Sequence, residues 1–180
     1  YEKAKNYGLK PIIGCELYIA PESRHEREKH GLRDASHHLI LLVKNERGYK
    51  NLVKLVTLGY TEGFYYKPRI DKELLAEHAE GLIALSSCNR GEVSDSIYKE
   101  NHPRARKTAI QYREIMGAEN FYLELQNHML EWQTKINRGL IDLAKELSIP
   151  LVATNNCHYL ERQDARAHEI LICLQTGKTI

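Results

Sequence analysis

Residues 121–154 read FYLELQNHMLEWQTKINRGLIDLAKELSIPLVAT. The short apolar runs Phe121–Gln126 and Leu151–Thr154 at its two ends are typical of buried strands. Between them, Glu131–Leu147 carries apolar residues three and four apart, which indicates an amphipathic helix. Pro150 breaks this helix just before the second run. The stretch therefore predicts a strand, a covering helix and a second strand.

The same alternation continues on both sides of this stretch. It predicts three more strands and four more helical segments: Ile12–Ala20, His38–Lys44 and Leu82–Ser86 as strands, and Tyr1–Tyr7 (a helix end), Tyr49–Leu58, Pro103–Met116 and Gln163–Leu174 as helices. Alternation of this kind implies a largely parallel sheet covered by helices. Five strands do not close an eight-stranded barrel, so the chain is either an open doubly wound sheet or a barrel without its first strands. A chain that starts inside a helix suggests a fragment of one α/β domain over residues 1–180.

Composition narrows the class of protein. Hydrophobic residues make up 42% of the 180 residues and charged residues 28%, as in ordinary globular domains. No apolar run approaches the roughly 20 residues of a membrane span. The net charge of +2 does not indicate a nucleic-acid partner. Four cysteines without a CxxC pair argue against a zinc finger or a disulfide framework, so we expect a reducing cytoplasm.

Two further expectations concern local environment. Cys173 lies in the apolar run 170–174, which predicts a small core residue. Residues 22–34 are rich in Arg, Glu and His, which predicts an exposed loop.

Polar side chains follow or adjoin several of the predicted strands, where active sites of parallel α/β folds form. They are Glu16, His37, His38, Cys88, Asn156 and His158. A carboxylate, imidazoles and a thiolate from separate strand ends make a ligand set for zinc or a similar divalent ion, or a phosphate site. Each residue taken alone also has a structural explanation. His38 could be a partly buried histidine with a hydrogen-bond partner, Cys88 could be a core residue, and Glu16 could form an ion pair with a neighbouring Lys or Arg.

The segment Gly63–Arg69 combines aromatic and basic residues in a predicted loop. Lys67 and Arg69 suit a phosphate, and the aromatic rings can stack on a base. The alternative is a surface loop whose tyrosines cover the core. The chain holds no Walker-type phosphate loop, GxSxG or HExxH motif.

At these residues the sequence resembles a known family. The blocks are KPIIGCE (10–16), HHLILL (37–42), GFYYKPR (63–69), EGLIALS (80–86), FYLELQ (121–126), PLVATNNCHY (150–159) and AHEIL (167–171). They resemble, in the same order, the PHP (polymerase and histidinol phosphatase) domain of the α subunits of bacterial replicative DNA polymerases. The resemblance covers essentially all 180 residues.

The resemblance implies a distorted TIM-like β/α barrel of seven strands, lacking its first strands in this chain, with up to three metal ions at the strand ends. Zinc is the expected ion, with Mg or Mn as alternatives. The family's metal positions match Glu16, His38, Cys88, Asn156 and His158, with the thiol standing where other members carry histidine. There are two departures. The upstream His-x-His and Asp-His pairs are absent, and Asn156 replaces an Asp, a neutral and weaker ligand.

The resemblance also implies a function. The parent would be a DNA-directed DNA polymerase whose nucleotidyl-transfer carboxylates lie in a palm domain absent here. The segment itself resembles a metal-dependent phosphoesterase or 3′–5′ exonuclease, with Glu16, His38 and His158 catalytic and Lys67 and Arg69 binding phosphate. Implied partners are DNA, a proofreading exonuclease subunit and other replisome subunits, with no membrane. The alternatives are a non-catalytic scaffold that docks the exonuclease subunit, and a stand-alone PHP phosphatase for small phosphate monoesters.

Overall fold

The computed structural model describes residues 1–27 and 36–179, which form a mixed α/β structure. Its strands are β1 (Gly14–Ile19), β2 (His37–Val43), β3 (Arg69–Ile70), β4 (Leu82–Leu85), β5 (Phe121–Gln126) and β6 (Leu151–Thr154). Its helices are α1 (Glu2–Asn6), α2 (Glu46–Thr61), α3 (Lys72–Glu77), α4 (Glu92–Tyr98), α5 (His102–Met116), α6 (Glu131–Leu147) and α7 (Ala165–Thr176), with a 3₁₀ turn at Arg162–Asp164.

All of the predicted elements are found, and three short elements were missed. The five predicted strands correspond to β1, β2, β4, β5 and β6, and the predicted helices to α1, α2, α5, α6 and α7. The sequence did not predict β3, α3 or α4, which have two, six and seven residues. Segments this short span too few turns or pleats to show a period.

The strands form one sheet in the order β3-β1-β2-β4-β5-β6. β1 and β3 are parallel, as are β4 and β5, and β5 and β6. β2 runs antiparallel to both β1 and β4, so the expectation of a largely parallel sheet is wrong at this strand. A parallel pair needs a crossover, usually a helix, and the sequence of residues 22–34, between β1 and β2, is hydrophilic without the apolar period of an amphipathic helix. Within the described residues, β3 and β6 each pair on one side only.

One hydrophobic core joins the sheet to its covering helices. β2 contributes Leu39 and Leu41, and β5 contributes Phe121, whose ring stacks on Tyr112 of α5 with centroids 5.6 Å apart. The apolar side of α6, including Leu140, joins the same cluster. The covering helices thus fix the strands whose ends carry the polar residues.

The first turn of helix α2 packs tightly against the turn that precedes β4. Asn45 caps this helix, its side-chain oxygen accepting a hydrogen bond of 3.0 Å from Gly48 N. A Cβ at Gly48 would lie 1.8 Å from the carbonyl oxygen of Gly81, which precedes β4. Position 48 therefore has to be glycine for α2 to seat against this turn.

Helix α7 differs from the other long helices, because it has no buried residue. Cys173 lies on it and is only half-buried, so the expectation of a core cysteine is wrong. An apolar run does not by itself place a helix in a core. No helix in the described part of the chain has both the length and the apolarity to cross a membrane. Of the predicted exposed loop, residues 22–27 form turns and bends, and residues 28–34 lie outside the described residues.

Candidate metal centre and adjoining cleft

The reversed direction of β2 explains how three candidate ligands meet. Because β2 is antiparallel to its neighbours, its first residues lie at the edge where β1 and β4 end. His38 pairs with Tyr18, two residues after Glu16, so Glu16 and His38 are diagonal neighbours on one face of the sheet. Cys88 follows β4 by three residues and reaches the same edge.

The ligand atoms of Glu16, His38 and Cys88 all lie within 4.8 Å of one another. Nδ1 of His38 is 3.0 Å from Oε1 of Glu16. This nitrogen is buried, and no hydrogen bond to it within residues 1–27 and 36–179 has good geometry. A buried imidazole nitrogen 3.0 Å from a carboxylate oxygen, with a thiol close by, fits a divalent ion as a shared partner.

The charges in this group support the same conclusion. Burial alone would lower the pKa of His38, but the contacts with Cys88 and Glu16 raise it to about 9. The His38 contact is also the main cause that lowers the pKa of Glu16. Burial raises the pKa of the Cys88 thiol, but His38 and the backbone N–H of Arg90 outweigh burial and lower it. The Glu16 carboxylate and the Cys88 thiol, whose pKa is lowered, therefore favour a positive charge at this point, either a proton on His38 or a metal ion.

The other two predicted ligands lie on the exposed segment after β6. The backbone N–H of Asn156 donates to Nε2 of His128 at 3.3 Å. The ring of His158 lies against that of His168, with centroids 5.2 Å apart. The charge of His158 is a minor cause of the lowered pKa of Glu16, so it lies near the group without belonging to it. The roles of Asn156 and His158 as ligands stay predictions.

Lys67 lies beside the candidate centre. It is exposed, and its Nζ is 5.7 Å from the ring centroid of Tyr18. The same tyrosine packs edge-on against His38, with ring centroids 5.1 Å apart. This position suits a cation that neutralises a bound phosphate, and that role stays a prediction.

Arg69 has a different environment from Lys67. It is only 1% exposed, and its guanidinium lies over the ring of Tyr65. It donates hydrogen bonds to three backbone carbonyls: Gly63 at 3.2 Å, Arg24 at 3.3 Å and Glu26 at 2.8 Å. In this conformation the guanidinium holds two loop segments together, and the geometry argues against its predicted contact with phosphate.

A buried polar cluster beneath Cys88 did not stand out in the sequence. Glu124 of β5 accepts hydrogen bonds at Oε1 from Gln126 and Thr154. Its Oε2 and the hydroxyls of Ser87 and Ser94 are buried without a hydrogen bond in the described part of the chain. The available signal was a charged residue inside an apolar strand, which is unusual without a partner.

A cleft of about 680 Å³ opens beside the candidate centre. It lies between the loop after β4 and the facing helices α4 and α6. Its lining residues are His37, Asn89, Arg90, Asp95, Tyr98, Lys99 and Trp132. Of these, only His37 stood out in the sequence, because the cleft arises from the packing of α4 against α6.

A helix-covered mixed sheet with a carboxylate, an imidazole and a thiol gathered at one edge defines the class: an α/β domain with a candidate metal centre. The chain belongs to the PHP domain family, whose model matches residues 1–128.

The relatives are much longer proteins. The chain is similar to DNA polymerase III subunit alpha of Treponema pallidum, with 49% identity over 95% of this chain and 15% of that protein. It is also 45% identical to the Thermus aquaticus protein of the same name and 43% identical to that of Aquifex aeolicus, over the whole chain in both cases. The chain spans only 15% and 16% of those two proteins.

Proposed function

We propose that this chain is the PHP segment of a DNA polymerase III α subunit. We also propose that the site where β1 and β4 end binds divalent metal and hydrolyses phosphodiester bonds in DNA. The observation that carries the proposal is the group Glu16, His38 and Cys88, with ligand atoms within 4.8 Å of one another. The similarity to α subunits along the whole chain supports the parent.

The residues of the group would hold the ion through one oxygen, one nitrogen and one sulfur. Imidazole and thiolate ligands favour zinc over Mg²⁺ or Mn²⁺, which prefer oxygen. Asn156 and His158 would complete the ligand set, and the intact family site takes up to three ions. Bound metal would supply an activated hydroxide and charge neutralisation at the scissile phosphate.

The chain's own side chains would move protons and position the substrate. The Glu16 side chain is 43% exposed, so its free oxygen can accept a proton from an attacking water molecule. His38 would hold the ion from its buried position, and His158 would either complete the ligand set or donate a proton to the leaving oxygen. Lys67, exposed beside Tyr18, would bind a non-bridging phosphate oxygen.

We further propose the distorted barrel of the PHP type as the complete fold, as one domain running through the end of this chain. The sheet edges at β3 and β6 have room for further strands, since within the described residues each edge is unpaired. The family model matches only to residue 128, but α6 and Ile149 belong to the same core as β1 and β2. This continuity supports one domain.

The parent would carry out DNA-directed DNA synthesis with a palm domain outside this chain. Its partners would be DNA, a proofreading exonuclease subunit and other replisome subunits. A non-catalytic scaffold is the second candidate, and the neutral Asn156 favours it. A stand-alone phosphatase is disfavoured by the length of the relatives, of which the chain spans about a sixth.

The test compares the Glu16→Gln variant with the matched control Glu114→Gln, which changes an exposed glutamate of α5. Zinc content after gel filtration and nucleotide release from a 3′-labelled oligonucleotide are measured on the same samples. Loss of a ligand should lower metal affinity at least tenfold, roughly the lower bound for changes around a metal site. Equal zinc content and equal release in the two variants would contradict the proposed centre. If Glu16→Gln loses zinc but the unchanged chain releases no nucleotide, the result would favour the scaffold.

A further inference from the structure

The cleft between α4 and α6 lies near the candidate centre. Asn89 and Arg90 of its wall directly follow Cys88 in the chain, and the charge of Arg90 acts on Glu16. A substrate lying in the cleft would thus extend from the group of ligand atoms across the surface of the domain. Its volume of about 680 Å³ is in the range of small-molecule sites and accommodates a nucleotide.

Arg90 places a cation at the boundary between the centre and the cleft. Its carbonyl accepts a hydrogen bond from the backbone N–H of His38 at 3.0 Å, and its N–H bonds the Cys88 thiol. Its side chain is exposed, and in the described part of the chain its guanidinium forms no ion pair or hydrogen bond. Its charge already acts on Glu16, whose pKa it helps to lower. A fixed backbone and a guanidinium available to solvent suit recognition of a phosphate next to the reacting one.

Two aromatic rings line the cleft. Tyr98, at the end of α4, is 51% exposed, and Trp132, in the first turn of α6, is half-buried. The carboxylate of the lining, Asp95, is ion-paired with Lys99 at 3.0 Å, which reduces its repulsion of an anion. One face of the Tyr98 ring is approached by Nζ of Lys135, 5.6 Å from the ring centroid, which adds a second cation near the rings. Solvent-accessible aromatic rings together with cationic side chains are the combination by which proteins bind single-stranded nucleic acid without sequence preference.

We propose that the cleft is a nucleotide subsite, in which bases of single-stranded DNA stack on Trp132 and Tyr98 while Arg90 binds the backbone phosphate. This inference rests on the proposed phosphodiesterase function, for which it identifies a single strand of DNA as the substrate that leads into the centre. Duplex DNA does not fit, because its bases are not free to stack on protein side chains.

Trp132 is the single tryptophan of the chain, so its fluorescence reports on the cleft directly. The 180-residue chain is titrated with an oligothymidylate of about eight nucleotides, within the site size of such surfaces, in the presence of a chelator that prevents hydrolysis. Arg90→Ala and Tyr98→Ala are compared with Lys54→Ala, which removes an exposed charge from α2. All three changed positions are outside the core, and circular dichroism confirms that each variant is folded.

The expected result is saturable quenching of Trp132, with affinity lowered about tenfold in Arg90→Ala and Tyr98→Ala and unchanged in Lys54→Ala. The slope of log affinity against log salt should fall by about 0.7 in Arg90→Ala, as for the loss of one phosphate contact on a single strand. A 4-thiothymidine at the 3′ end should crosslink to the peptide containing Trp132.

Other outcomes separate the two proposals. Absence of quenching, or equal affinities in the three variants, overturns the nucleotide subsite even where metal-dependent cleavage is found. Quenching with the expected variant pattern but without cleavage in the presence of zinc retains the subsite and overturns the proposed hydrolysis. Equal quenching by duplex and single strand overturns the stacking mode.

Discussion

Replacing Arg69 by lysine separates the structural role of this residue from the predicted phosphate contact. The change keeps the positive charge but removes the planar fork that serves three carbonyl groups. A lysine ammonium at this buried position can keep one of the three hydrogen bonds. Two bonds are therefore lost, and hydrogen bonds to charged groups contribute about 1.5 kcal/mol each at the lower bound.

The free energy of unfolding should therefore fall by about 3 kcal/mol in Arg69→Lys. For a chain of this size, that corresponds to a melting temperature roughly 6–12 °C lower. Urea denaturation followed by circular dichroism measures the first quantity, and a thermal scan the second. The matched control is Lys67→Ala, whose exposed side chain should contribute less than about 0.5 kcal/mol.

Oligothymidylate binding completes this test. At a temperature where Arg69→Lys remains folded, Trp132 quenching should match that of the unchanged chain. An unchanged urea midpoint together with weakened binding would refute the structural role and restore Arg69 as a phosphate ligand.

Three further predictions concern the centre, the buried charges and the helix contact. Asn156→Asp should raise the affinity for zinc by about tenfold or more, since changes around a metal site commonly alter affinity about 10–100-fold. Elemental analysis should then find more zinc in the Asp form. Equal zinc content in both forms removes this position from the ligand set. Burial alone would raise the pKa of Glu92, but Lys72 at 2.8 Å and other cations hold it below its usual range. The stability from this carboxylate is present above its unfolded-state pKa and is lost as the pH falls through the lower folded pKa. Glu92→Gln should therefore lower the free energy of unfolding by about 2 kcal/mol at pH 7 and weaken its decrease toward acid pH, as measured by urea denaturation at a series of pH values. An equally steep acid decrease in the variant and the unchanged chain would contradict this role of Glu92. Gly48→Ala should lower the urea midpoint, because its Cβ would lie 1.8 Å from the Gly81 carbonyl oxygen, and an unchanged midpoint would show that α2 can shift there.

The fold was predictable where a segment showed a clear period or an apolar run between turn residues. α6 begins and ends at the predicted residues, because its apolar side repeats over 17 residues and Pro150 lies just beyond its end. The direction of β2 was not predictable, since an apolar strand reads the same whichever way its neighbours run. The short α4 was missed for lack of turns, and with it one wall of the cleft.

For the site, the residue types were predictable from the sequence, but their arrangement in space was not. Glu16, His38 and Cys88 were identified by their chemistry and their closeness to strands, and the structure brings them together. Arg69 shows the opposite case, because a charged residue in a polar loop predicts exposure and only the folded chain shows its carbonyl partners. Burial depends on contacts between distant segments, and these leave no local pattern.

The candidate ligands lie on three neighbouring strands of the sheet, although they are far apart in the chain: residues 16 and 38 on β1 and β2, and residue 88 just after β4. An ion held by all three would cross-link these strands, and the unfolded chain offers it no preformed site. Binding would then be linked to global unfolding. At a free zinc concentration ten times the dissociation constant, the linkage adds about 1.4 kcal/mol to the free energy of unfolding. Zinc supply in the cell would thus act on the lifetime of the folded domain as well as on its chemistry.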